Sequence, residues 1–122
     1  MAMVKSLGRM LLAGVFISGG ANTFTNPDSR ALKVAKAGIP QAREATILNG
    51  ATMVVAGTAL ALGIAPRLAA TVLAASLIPT TFVGHPFWQE ENPANRAGQQ
   101  IHFLKNMAIL GGLLFVIADK DQ

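Results

Sequence analysis

The sequence predicts an all-α integral membrane protein built as a four-helix antiparallel bundle. Four apolar stretches, at about residues 7–24, 45–65, 68–83 and 101–118, fill most of the 122 residues, and each is close to the ~17–25 residues a helix needs to cross a bilayer. Composition agrees, since 52% of residues are hydrophobic and 13% are charged, against about 25% charged in an ordinary soluble domain. Helices rather than strands follow from hydrogen bonding. In hydrocarbon every backbone amide must be satisfied within its own segment, and runs this long and continuous do not suit barrel strands. Four spans leave too little chain for a second fold, so residues 1–122 read as one membrane domain.

The first stretch opens with Lys5 and Arg9 ahead of an apolar run, and Ser18-Gly19-Gly20-Ala21 resembles a small-residue cleavage site. A secretory signal peptide shares that pattern. A span is the preferred reading, with Arg9 snorkelling to the interface from near the helix end. Asn26-Pro27-Asp28 ends this helix. The link that follows carries Arg30, Lys33, Lys36 and Arg43, with Leu32, Ala35 and Ile39 between them at helical spacing. It reads as a short amphipathic helix lying on anionic lipid headgroups. Pro40 precedes the second span, and Gly63-Ile64-Ala65-Pro66 makes a tight link to the third, so these two form an antiparallel hairpin. Pro79 removes an amide donor inside the third run and is expected to kink it near its end. After His85-Pro86 the polar stretch from Gln89 to Gln100, with Asn92-Pro93 inside it, reads as a loop.

Helices in lipid associate by close backbone approach, and small residues recur four apart at Gly14/Ser18/Asn22, Gly57/Ala61, Ala70/Ala74 and Ala108/Gly112. These stripes are expected to be the seams of the bundle, with a homodimer face as the alternative for any one of them. Met53, Met107 and the phenylalanines read as core filler.

Several classes of function are excluded at this stage. The chain contains no cysteine, so it forms no disulfide, no thiolate metal site and no Cys-x-x-Cys redox couple. Nucleic acid is a poor partner for basic residues that are few, divided between both ends of the bundle and not interleaved with aromatics. Orientation stays open, because the loop side carries Arg30, Lys33, Lys36, Arg43 and Arg96 while the termini side carries Lys5, Arg9, Arg67 and Lys120.

Antiparallel topology places Asn22, Asn49, His85, Trp88, Gln99, His102, Lys105 and Asn106 at one end. Gln99, His102, Lys105 and Asn106 are three or four apart and are expected to share a face of the last helix. Asn49, His85, Trp88, His102, Lys105 and Asn106 are the candidate ligand-binding residues. An ionisable group inside a span is costly, so Lys105 has two readings. Either it snorkels to the headgroups, or it points inward with Asn49 and His102 to hold an anionic or carbonyl head group. Two histidines at one depth also admit haem or a metal. No carboxylate accompanies them inside a span and no His-x-x-x-His spacing occurs, so no metal site and no catalytic residue is assigned.

With these residues in view, the chain resembles the DoxX family of small bacterial membrane proteins. The likeness rests on three features: Gly8-Arg9 opening a glycine-rich first helix, Phe82-Val83-Gly84-His85-Pro86-Phe87-Trp88 closing the third, and Gln100-Ile101-His102-Phe103-Leu104-Lys105-Asn106 leading into Gly111-Gly112. The resemblance implies a four-helix bundle whose relatives often partner redox or sulfur-metabolising systems, including a thiosulfate:quinone oxidoreductase subunit. It also marks His85, Trp88, Phe103, Lys105 and Asn106 as a shared polar site. The absence of cysteine argues against direct sulfur chemistry here.

The expectation that follows is a multi-pass inner-membrane protein, an accessory or stabilising subunit of a larger redox or respiratory assembly, with no cofactor and no catalytic residue of its own. Its partners would be the lipid bilayer and other membrane subunits. The alternative is a quinone- or lipid-binding oxidoreductase component with its head-group site at one mouth of the bundle, with quinone or haem as the group held. A small-solute transporter fits less well, because the polar residues stop at one end.

Overall fold

In the computed structural model, residues 1–120 are described and are almost entirely helical. The elements are α1 (Ala2–Thr25), α2 (Asp28–Lys36), α3 (Ala42–Leu62), α4 (Pro66–Gly84), a 3-10 turn (Phe87–Gln89) and α5 (Pro93–Ala118). Four of them, α1, α3, α4 and α5, are long and apolar enough to cross a membrane. The side chains they leave uncovered are those that lipid accepts and water does not. Phe115 is 82% exposed and Val55 70%, and Leu48, Leu62 and Ile101 are as open, an apolar surface far beyond what a water-soluble monomer shows.

The helices alternate in direction. Lys5 at the start of α1 pairs with Asp119 at the end of α5 at 3.0 Å, and Arg67 at the start of α4 donates to the Ile117 carbonyl at 2.8 Å. At the other end Arg30 of α2 donates to Asn22 near the end of α1 at 2.7 Å, and Lys33 donates to the Gly84 carbonyl at the end of α4 at 3.1 Å. The tightest helix pair is α1 with α3, α4 bridges α3 to α5, and α1 and α5 touch more lightly. The core comprises Ala13, Phe16, Leu60, Ala70, Leu73 and Leu113 with their neighbours.

The α1–α3 seam rests on glycine. A Cβ on Gly20 would lie 2.7 Å from the Gly50 carbonyl oxygen, and one on Gly50 would lie 2.9 Å from the Gly20 carbonyl oxygen. Two turns further along α3, Gly57 leaves room for Phe16 and Ile17. The buried stripe of α1 is therefore Ala13, Phe16, Gly20 and Thr23. This corrects one of the expected seams, since Gly14, Ser18 and Asn22 are all exposed. At about 100° per residue they lie on roughly the opposite side of α1 from the residues that pack. The other stripes divide. Ala70 and Ala74 are buried and Gly57 is in the seam, while Gly112 meets Leu12 and Ala108 faces outward.

Three further expectations are revised. The stretch from Gln89 to Gln100 is not all loop, because Asn92 caps α5 by accepting from the Ala94 and Asn95 amides and Pro93 takes the first helical position. Asn-Pro here starts a helix, which extends past the apolar run as a polar overhang. The amphipathic link is helical only to Lys36, leaving Ile39 and Arg43 outside α2. Residues 63–65 are turn rather than span. Gly63 takes φ +70°, and the Ile64 and Gly63 amides return to the Ala59 and Leu60 carbonyls, the bonding of a glycine-terminated helix. Helix α4 continues through Pro79 to Gly84.

Threonine hydroxyls are satisfied within their own helices. Thr23, Thr46, Thr58, Thr71, Thr80 and Thr81 each donate to the carbonyl four residues earlier, so even the exposed Thr58 and Thr71 present no open donor to lipid.

Gly20→Leu is expected to lower stability by about 1–3 kcal/mol or prevent folding, the range for overpacking a tight contact. Gly14→Leu, where an added Cβ meets nothing within 4 Å, should leave stability nearly unchanged. Thermal unfolding of the two variants in one detergent compares them directly.

Candidate functional site

The polar residues near one end form three separate groups rather than one. The first lies between α3 and α4. Asn49 accepts from Ser76 Oγ at 2.5 Å and donates to Thr80 Oγ1 at 3.3 Å, with Met53 Sδ 3.6 Å from its amide nitrogen. Ser76 and Thr80 are one turn apart on α4, so a single asparagine spans both. Asn49 is thus engaged by α4 and is not joined to His102 or Lys105, which corrects the inward Lys105–Asn49–His102 reading.

The second group joins α4 to α5. Asn106 is 7% exposed and donates through Nδ2 to Thr81 Oγ1 at 3.0 Å, while Thr81 donates onward to the Leu77 carbonyl at 2.7 Å. Lys105, one residue away and about 100° around the helix, is exposed. The shared face of Gln99, His102, Lys105 and Asn106 is therefore a broad arc, with Asn106 turned into the bundle and Lys105 at its outer edge.

The third group is the mouth itself. His85 follows α4, and its Nδ1 lies 2.7 Å from Gln99 Oε1. The His85 and His102 rings stack with centroids 5.0 Å apart and planes 20° from parallel. Lys33 and Lys105 stand close enough for their positive charges to act on His85. Neither of the ion pairs Lys5–Asp119 and Arg43–Asp28 engages Lys33 or Lys105. Lys33 also stabilises the end of α4 by donating to the Gly84 carbonyl, where a cation opposes the helix dipole.

Beside the imidazoles, Trp88 packs in an aromatic group with Phe82, Phe87 and Phe103 at centroid separations of 5.9, 5.3 and 5.8 Å. The ring is half exposed, as suits a residue holding the helix end at the membrane interface. The aromatic group fixes the short 3-10 turn between α4 and α5, and so the position of His85 relative to His102.

Ser76, Thr80 and Thr81 are the partners that sequence reasoning did not assign to the site, whereas Gln99 was placed at this end but not among the ligand-binding residues. Small hydroxylated residues in an apolar run give little signal, though the Ser76/Thr80 spacing of four residues would have marked one face of α4 as polar.

Four membrane-length helices, a polar mouth at one end and an interior held by asparagine–hydroxyl contacts define a small multi-pass membrane protein. The DoxX family model matches residues 4–86, and the chain belongs to the DoxX family. No curated protein and no solved structure matches it. The family match ends at Pro86 and so includes Asn49 and His85, whereas Trp88, His102, Lys105 and Asn106 lie beyond it.

Asn106→Ala is expected to lower unfolding stability in detergent by about 1–2 kcal/mol, from the lost interhelical hydrogen bond and the space it leaves. Lys105→Ala should change stability by less than about 0.5 kcal/mol, as for an exposed residue without a structural contact. Chemical denaturation followed by circular dichroism measures both.

Proposed function

We propose that this protein is a small integral-membrane subunit that stabilises a larger membrane redox or respiratory assembly in the inner membrane and performs no chemistry of its own. The observation that carries this reading is the engagement of the bundle's polar groups with one another. Asn49 holds α3 to α4 and Asn106 holds α5 to α4, and His85 is bonded to Gln99. These are the hydrogen bonds of an architecture, and they contain no nucleophile and base in contact. The outward face of α1, with Gly14, Ser18 and Asn22 exposed in line, offers a neighbouring transmembrane helix a surface for close approach. The resemblance of the family to partners of redox systems points the same way.

A second reading is supported by the mouth. Stacked imidazoles flanked by Lys105 and Lys33 would suit the carbonyl oxygens of a quinone or the head of a lipid. If so, His102→Ala and Lys105→Ala would lower quinone-linked electron transfer in native membranes. Unchanged transfer in both variants removes this reading.

The leading proposal is tested by isolating the tagged protein from native membranes in mild detergent. Other membrane subunits are expected to co-purify, and Gly14→Leu combined with Ser18→Leu should release them while the variant stays folded. A wild-type protein that elutes alone after mild solubilisation and after crosslinking in the membrane would overturn the proposal.

A further inference from the structure

At the end of the bundle opposite the imidazoles, α1 and α5 diverge around a cavity of about 360 Å³. Its walls include Gly8, Leu12 and Phe115, and Lys5, Arg9 and Asp119 stand at its border. Lys5 is paired with Asp119 at 3.0 Å, and among the described residues no carboxylate lies within ion-pair distance of Arg9. Arg9 makes a 3.2 Å bond from Nη2 to Ser6 Oγ, and its Nε is buried with no hydrogen-bond partner among the described residues. A buried N–H on a charged group is costly to leave unmade, so the described residues under-satisfy this side chain.

A second cavity of about 450 Å³, between α3 and α4, is lined by alanines, aliphatic side chains and Thr52 with no charged residue, so a hydrocarbon tail there would have no charged head-group anchor. The α1–α5 cavity differs in combining an apolar groove with a cation at its border. That is the chemistry of an amphiphile. Depth agrees as well: α1 has 24 residues, which at ~1.5 Å each is about 6 Å longer than the ~30 Å hydrocarbon core, and Arg9 lies two turns from its start. A guanidinium there is within reach of the phosphate layer.

We propose that Arg9 anchors one anionic phospholipid, with the phosphate on the guanidinium and an acyl chain lying in the groove between α1 and α5. Binding requires the long Arg9 side chain to leave Ser6 and turn Nε and one Nη toward the groove, where the two N–H groups match two phosphate oxygens as a fork. Gly8 keeps the groove open, since a Cβ built there meets nothing within 4 Å, and the Leu12–Gly112 contact closes its floor. This site is independent of the subunit role proposed above and of the imidazole mouth.

The test uses the full chain, delipidated in detergent and titrated with dioleoylphosphatidylglycerol, dioleoylphosphatidylcholine or inorganic phosphate. Bound lipid is counted by native mass spectrometry and thermal stability is followed in parallel. Phosphatidylglycerol is expected to bind one to one and raise the unfolding temperature, with little effect from the zwitterionic lipid or from phosphate alone. Arg9→Gln should weaken phosphatidylglycerol binding roughly tenfold or more, as the loss of a charge-assisted bond would, with Arg9→Lys in between. Gly8→Phe, which fills the groove and leaves Arg9 in place, should weaken it comparably. Gly8→Phe also decides the matter if Arg9→Gln does not fold. Equal phosphatidylglycerol binding by wild type and Gly8→Phe, equal binding of the zwitterionic lipid, or equal stabilisation by inorganic phosphate would each overturn the proposal.

Discussion

The crossing of α1 and α3 at Gly20 and Gly50 is the contact from which the rest of this bundle is arranged. Neither position tolerates a Cβ without displacing the other helix's backbone, so the two helices meet main chain to main chain. That fixes rotation as well as distance. With Gly50 held against α1, Asn49 is turned about 100° away, onto the face that α4 occupies. Ser76 and Thr80 then meet its amide, and α4 is placed so that Thr81 meets Asn106 and His85 emerges beside Gln99. The geometry of the mouth is thus inherited, helix by helix, from a contact several turns away.

Lipid imposes the second constraint. There is little hydrophobic gain in bringing helices together when the surrounding acyl chains are equally apolar, so cohesion comes from close packing and interhelical hydrogen bonds. This protein uses both, in different places. The α1–α3 seam is made of glycine and alanine opposite Phe16 and Ile17, whereas the α3–α4 and α4–α5 seams each add an asparagine bonded to hydroxyls. Threonine hydroxyls outside the seams are bonded to their own helix, which lets threonine sit on lipid-facing positions such as Thr58 and Thr71.

Much of the architecture was legible in the sequence because length and continuity of apolar runs are direct physical requirements of crossing a bilayer. The tight turn at Gly63 was equally readable, since a left-handed residue after a helix favours glycine. Seams were harder. Gly14/Ser18/Asn22 and Ala13/Phe16/Gly20/Thr23 are both eligible stripes of α1, and only the opposite surface decides between them. Gly57 lets α3 approach Ala13, Phe16 and Ile17, and so the Ala13/Phe16/Gly20/Thr23 stripe turns inward. The same reasoning applies to the polar residues. Sequence placed Asn49, His102, Lys105 and Asn106 at one end, but hydrogen-bond partners divided them: Thr81 and Ser76 drew the asparagines inward, and Lys105 had nothing inside to meet it. The start of α5 was misread because Asn-Pro serves both loops and helix caps, and the capping amides that distinguish them lie in the backbone.

The two ends of the bundle differ in how much protein they offer to anything approaching through water. On one side, α3 and α4 are joined by only three residues, Gly63 to Ala65, hugging the helix ends. On the other, α2 lies across the ends of α3 and α4, and the capped start of α5 carries Asn95, Arg96 and Gln100 outward on a rigid rod. The first side carries the Lys5–Asp119 pair and Arg67 close against the helix ends. The second adds relief and a stiff post, so the two aqueous faces of the bundle present different shapes to a soluble domain or an extramembrane arm of a neighbouring subunit.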